Sequence, residues 1–239
     1  MIELVDIRYV RLGTGDVDAA VRFATETLGL ELVRRENGAA YVRGDDRDHN
    51  ICYFDGAPDD HTLGFEVETA EMLDRAAAEL GAAGVEVTRG SPQDAARRRV
   101  TDYVNFRDPT GNSIDLVLRP FHSGIRYFPS RDAGIQEFSH VGLKTTDAPR
   151  DFQVESVDDI MRSHYFLTER QVRIVFGPGR HPTSGARFLY FEGPDRMVYE
   201  YSHGVRLIED PDYRPRQFPF DDSSLCMWGS KPDIAEFRS

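Results

Sequence analysis

Apolar and polar positions along this chain alternate between a period of two and a period near 3.6, and the switches come in a repeating order. Residues 7–12 read as a strand; Asp16 then caps a helix with Val17, Ala20, Val21, Ala24 and Leu28 on one face, closed by Gly29. Three short strands follow at 30–34, 39–43 and 50–54, separated by Asn37-Gly38, Gly44 and Gly56-Ala57-Pro58. The order restarts with a strand at 63–68 and a helix capped by Thr69, which carries Leu73, Ala76, Ala77 and Leu80 and closes at Gly81. Strands at 85–88, 100–106 and 113–118 complete it, so residues 1–118 predict two successive βαβββ units.

Pro120, Gly124, Pro129 and Gly134 break any period between 119 and 136, which predicts a linker, with His122 as a surface loop histidine. A further domain is expected at 137–205 and a tail rich in Pro and aromatics at 206–239. The stretch from Phe138 through His140 lines up with the first strand, and Phe152-Gln153-Val154-Glu155-Ser156 with Phe65-Glu66-Val67-Glu68-Thr69. Gly193-Pro194 matches Asp108-Pro109, and Glu200 falls six beyond its proline just as Asp115 does. The second copy is short. Tyr9 to Phe65 is 56 residues and His140 to Phe152 is 12, a deficit of 44 that the matching places between Asp151 and Phe152. A module without those residues leaves sheet edges unpaired, which favours a segment absent from the sequence in hand over a true deletion.

From Gly179 to Tyr201 the chain places His181, Tyr190 and Glu200 at intervals of nine and ten. The turn signal Glu192-Gly193-Pro194-Asp195 lies between two aromatic runs, so the stretch predicts a hairpin. Period two sets Tyr199 and Tyr201 opposite Glu200, leaving that carboxylate among aromatics. If it faces inward it needs a cation or a metal, because an unpaired buried charge is too costly; a strand-end Glu facing solvent is the open alternative.

A net charge of −12 and a pI near 5.0 argue against nucleic acid and anionic membranes as partners. No apolar run approaches a membrane span, and the amino-terminal residues have no export signature. Cys52 and Cys226 lack any metal-type spacing and read as free thiols of a cytoplasmic protein. His49, within Asp45-Asp46-Arg47-Asp48-His49, reads as part of a charged, solvated turn, and His164 and His203 as helix-boundary and strand-end residues.

His140 on its strand, the 179–200 motif and the repeated βαβββ units together resemble the type I extradiol dioxygenases of the vicinal oxygen chelate superfamily. The family signature runs Gly-x-His, an aliphatic residue before Tyr, a Pro, and then Glu. Gly179, His181, Leu189, Tyr190, Pro194 and Glu200 match it, whereas Gly193 and Arg196 depart from it in the turn.

The resemblance implies an α+β fold of two domains built from tandem βαβββ modules. It also implies a metal-dependent enzyme that cleaves a catechol-type ring with O2, as in aromatic catabolism. By that resemblance His140 and Glu200 are metal ligands for Fe(II), with Mn(II) as the alternative. A second ligand histidine is expected three residues before Phe152. His181 and Tyr190 are the catalytic groups around the metal, in contact with substrate or oxygen. In the first module the equivalents are Tyr9, Thr62 and Asp115, with His61 beside them, which cannot make the triad. The partners implied are a small aromatic diol and O2, and the tail adds an expectation of homo-oligomers. Two other readings stay open: a glyoxalase-like lyase or isomerase on the same fold, and a metal-free binding protein.

Overall fold

The computed structural model describes residues 2–129, 131–141, 150–206, 213–214, 216–219 and 221–234. The side chains of His140, Val141, Arg150, Asp151, Asp222 and Ser223 lie outside that description. The chain forms two units, the first running through Arg131 and the second comprising Asp132 to Val141 and the chain from Arg150 onward.

The first unit is one mixed sheet in the order β2-β3-β4-β1-β5-β8-β7-β6. Its strands are β1 (Ile7–Thr14), β2 (Glu31–Glu36), β3 (Ala39–Arg43), β4 (Ile51–Asp55), β5 (His61–Val67), β6 (Val87–Arg89), β7 (Asp102–Arg107) and β8 (Ser113–Leu118). Two modules account for that order. In each, the first strand pairs in parallel with the last, β1 with β4 and β5 with β8, and the two first strands meet antiparallel at the centre.

The helices begin where side chains satisfy their free amide groups. Asp16 accepts from Ala19 N at 2.8 Å above α1 (Val17–Arg22), which continues as a π-helical turn to Leu28 and ends at Gly29 with φ 84°. Thr69 accepts from Met72 N above α2 (Ala70–Ala82), whose Leu73 and Ala76 are buried. A third helix, α3 (Pro92–Arg98), was not anticipated from the pattern. It is too short to show a period, yet Ser91-Pro92 carried its start signal: Ser91 caps it and Pro92 fills a position with no amide to satisfy.

The second unit repeats half of this plan. Its sheet has the order β11-β12-β13-β10-β9, from β9 (Ile135–Val141), β10 (Arg150–Val154), β11 (Ile174–Arg180), β12 (Arg187–Glu192) and β13 (Val198–His203). β10 pairs with β13 in parallel and with β9 antiparallel, which reproduces β5 with β8 and β1. Between β10 and β11 runs α4 (Val157–Glu169), with Ser156 donating to Asp159 Oδ2 at 2.7 Å while accepting from Asp159 N. The counterparts of α1 and β2 to β4 are absent from this sheet among the described residues.

Register moves the break in the repeat. Asp151 pairs with His140 and Glu200 as Gly64 pairs with Tyr9 and Asp115, so Arg150 and Asp151 already belong to the counterpart of β5. The discontinuity therefore precedes Arg150 and does not fall between Asp151 and Phe152; the sequence match across that short stretch was fortuitous.

Three further expectations are corrected. The 119–136 segment is not a free linker. Arg43, fully buried, donates to the carbonyls of Ile125 and Arg126 at 3.0 Å and pairs with Glu31, while Phe121 N donates to Arg99 O at 2.8 Å, and β9 begins at Ile135. The Asp45 to His49 turn is buried rather than solvated except at Asp46, because Arg34, Arg47 and Arg99 from three parts of the unit neutralise Asp45 and Asp48. The 179–201 stretch is more than a hairpin: Gly179 and Arg180 end β11, and His181 lies in the β11–β12 connection. The tail packs on the second unit, where Met227 N donates to Arg180 O and Gly177 N to Ser230 Oγ.

Candidate metal centre

Strand register brings four polar residues into one row of the second sheet. His140 on β9 pairs with Asp151 on β10, Asp151 with Glu200 on β13, and Glu200 with Tyr190 on β12. Paired residues share a face, so Tyr190 and Glu200 lie on the same side of the sheet. Tyr199 and Tyr201 lie on the other side, where Phe191 packs 5.0 Å from Tyr201. Glu200 is 2% exposed.

His181 reaches this row from the β11–β12 connection. Its Nδ1 lies 2.8 Å from the carbonyl of Leu225, which can only accept, so Nδ1 carries a proton and Nε2 is the nitrogen turned to the row. Nε2 is 3.3 Å from Tyr190 Oη and 3.8 Å from Glu200 Oε1. The imidazole stacks on Phe188 with centroids 3.9 Å apart. That ring in turn passes over Gly179, where a Cβ would come 2.3 Å from Phe188 and 2.7 Å from Cys226 Sγ. The Gly-x-His spacing thus has a steric cause: the glycine makes room for the aromatic platform that carries the histidine. Leu225, in the tail helix α5 (Asp222–Leu225), had no sequence signal for its role.

The structure accordingly brings His181, Tyr190 and Glu200 together. His140 is placed in the same row by its backbone, while its side chain lies outside the described residues. Among the described residues no three His, Cys, Asp or Glu converge as a complete ligand set. The position three before Phe152 is Pro149, which offers no donor and also lies outside the described residues. The buried Glu200 carboxylate, in register with His140, is a donor of the type that suits a divalent cation. His203 turns its Nδ1 to Val154 O at 3.0 Å and takes no part.

The corresponding row of the first unit is Tyr9, Gly64, Asp115 and Asn105. Here Asp115 is already saturated. Tyr9 Oη donates to Oδ2 at 2.8 Å, Asn105 Nδ2 to Oδ1 at 2.9 Å, and Arg98 Nε to Oδ2 at 2.7 Å. Burial, reinforced by the Asp115 charge, holds the Tyr9 phenol well above its ordinary pKa, so it remains a donor. Burial opposes the Arg98 charge, but Asp115 outweighs it and the net pKa rises. Thr62 donates to Ser113 Oγ, and His61 Nε2 faces Asn112 Oδ1. Arg98 escaped the sequence reading because its helix did.

Two sheets built from one β-first, helix-second module, one of them carrying a buried carboxylate–histidine–tyrosine cluster, define the tandem βαβββ class. Residues 6–116 match the Glyoxalase/Bleomycin resistance protein/Dioxygenase superfamily. It is 26% identical over 204 residues to a biphenyl-2,3-diol 1,2-dioxygenase of Sphingomonas paucimobilis, spanning 75% of this chain and 68% of that one. An iron-dependent extradiol dioxygenase of Rhodococcus jostii (strain RHA1) is 29% identical over 153 residues, 59% of this chain and 49% of that one. Among solved structures, the fold is similar to BphC, a halotolerant catechol dioxygenase, with a TM-score of 0.86 and 19% identity over 99% of this chain and 97% of that one.

Proposed function

We propose that this chain is a metal-dependent extradiol dioxygenase that opens a catechol-type ring beside its hydroxyls with O2. The observation that carries the reading is the convergence of Glu200, His181 and Tyr190 at one face of the second sheet. Glu200 and His140 would hold the metal, iron by analogy with the Rhodococcus relative and Mn(II) as the second candidate. When bound, a divalent ion supplies a positive charge that makes an adjacent substrate hydroxyl more acidic.

The chain's own residues do the rest. The Tyr190 hydroxyl is buried and positioned to hydrogen-bond a substrate oxygen beside Glu200, and His181 Nε2 can accept the proton that Tyr190 relays. Phe176 and Phe188 around His181 keep bulk water from the cluster. Met227 and Trp228, exposed in the tail, offer an apolar contact for a second copy of the chain. Buried free Cys52 and Cys226 suit a reducing cytoplasm. No described helix is long and apolar enough to cross a membrane.

The test is anaerobic reconstitution with Fe(II), followed by catechol or 2,3-dihydroxybiphenyl in air while oxygen uptake and the yellow ring-cleavage product are recorded. Uptake with colour, lost in Glu200→Ala and His140→Ala, is the expected outcome. Bound iron with product formation but no oxygen consumption would replace the dioxygenase with a lyase or isomerase.

A further inference from the structure

We infer that the first unit binds one internal water molecule between β1 and the Asp45 to His49 turn, held by Arg8 Nε, Arg47 Nε and His49 Nε2. The site is independent of the metal centre proposed above. Three observations carry it.

The first is a set of stranded polar atoms. Arg8 directs Nη1 to Asp6 and Nη2 to His122, and Arg47 directs Nη1 to Asp45 and Nη2 to Asp6. Both Nε–H groups are left over. They are buried without a hydrogen-bond partner among the described residues, and so is His49 Nε2. A buried donor or acceptor left in that condition costs about 1–3 kcal/mol.

The second is the room. Arg8, Arg47 and His49 line one cavity of about 10 Å³, together with Asp48, Arg99 and Phe121. Counted for the centre of a water-sized sphere, that volume holds one water and nothing larger.

The third is the chemistry of the lining. Burial works against the Asp48 charge, but the hydrogen bonds from His49 and Arg34 outweigh it and hold the carboxyl well below its ordinary pKa. Asp48 can then only accept, so His49 Nδ1, 3.0 Å away, carries a proton. Burial pushes the His49 pKa down to about 4, so at neutral pH the ring has no second proton and Nε2 is a lone pair. The occupant must therefore donate to one atom and accept from two. Water does both, and its second hydrogen is left for Asp48. A halide would face the Nε2 lone pair, and a metal ion would face the guanidinium groups. Charge agrees, since Arg8, Arg34, Arg47 and Arg99 are matched by Asp6, Asp45, Asp48 and Glu66, which suits a neutral occupant.

The experiment is magnetic relaxation dispersion of the water 17O nucleus on the full chain at pH 7, which counts waters held for longer than the protein tumbles. His49→Phe removes Nε2 and puts a larger ring into the cavity, so it is expected to hold one such water fewer than wild type. Circular dichroism checks that the variant folds. Two measurements on wild type stand apart from the variant. A crystal structure grown in sodium bromide should show a water within hydrogen-bond distance of all three atoms, and 15N-histidine spectra should show His49 protonated at Nδ1 alone. An unchanged count in folded His49→Phe overturns the inference. So does a bromide in the cavity, a cavity with no solvent peak, or a proton on Nε2 at pH 7.

Discussion

Arg98 Nε lies 2.7 Å from Asp115 Oδ2 in the interior of the first unit, in the row where the second unit carries Glu200. A guanidinium there does for Asp115 what a bound ion would do for Glu200: it offsets the cost of burying a carboxylate. The face of Arg98 also rests on the Tyr103 ring, 4.1 Å from its centroid, so its position is fixed by packing as well as by charge.

Arg98→Met should therefore be severe. Breaking a buried ion pair from one side leaves an uncompensated charge and costs about 3–5 kcal/mol, read by urea denaturation. Arg98→Met combined with Asp115→Leu should recover most of the loss, because no charge is then stranded. A double variant as unstable as the sum of the two singles would mean that the pair is not the relevant interaction.

The parts legible in the sequence were those that repeat. β3 and β8 could be bounded to the residue, and the Asp16, Thr69 and Ser156 caps were visible because a side chain and its amide partner are three residues apart. The hairpin carrying Tyr190 and Glu200 followed from the turn signal Glu192-Gly193-Pro194-Asp195, although which residues pair across it did not. What escaped depends on distant chain. His49 is buried because Arg34 and Arg99 converge on its neighbour Asp48, and the tautomer of His181 is set by Leu225, 44 positions away. No local pattern encodes either contact.

His49 gives the fold a pH dependence. It is 3% exposed, stacks on Tyr9 and bonds Asp48 through Nδ1, and burial pushes its pKa from 6.5 down to about 4 against the pull of Asp48. Arg34 and Arg11 nearby also disfavour its charge. A pKa depressed in the folded state means that the unfolded chain takes up the proton first. The stability is thus fully present above about pH 6.5 and lost as pH falls to about 4, by up to roughly 3 kcal/mol. Urea midpoints measured between pH 7 and 4.5 should fall in wild type. In His49→Phe, which keeps a ring against Tyr9, the part of that slope due to His49 should vanish; an identical slope in both would remove His49 as its source.

Tyr190→Phe separates chemistry from packing. The ring is buried against Phe176 and Phe188, with centroids 5.6 and 5.4 Å away, so removing only the oxygen leaves the core intact and stability within about 1 kcal/mol of wild type. Turnover of a catechol should drop by roughly 10²–10⁴ if the hydroxyl moves a proton, with metal content unchanged. Comparable kcat in the variant would reduce Tyr190 to a core aromatic.

Gly179→Ala tests the platform beneath His181. The added Cβ would sit 2.3 Å from the Phe188 ring, and relieving that clash means tilting the ring on which the imidazole stacks. Overpacking of this kind costs about 1–3 kcal/mol, and turnover of a catechol should fall with it because Nε2 is displaced from Tyr190. Adding Phe188→Leu restores the room but not the stack. The double variant is therefore expected to regain most of the stability and little of the turnover, measured by thermal melting and oxygen uptake on the same samples. Recovery of both together would show that the ring only fills space, and that His181 is held by Leu225 alone.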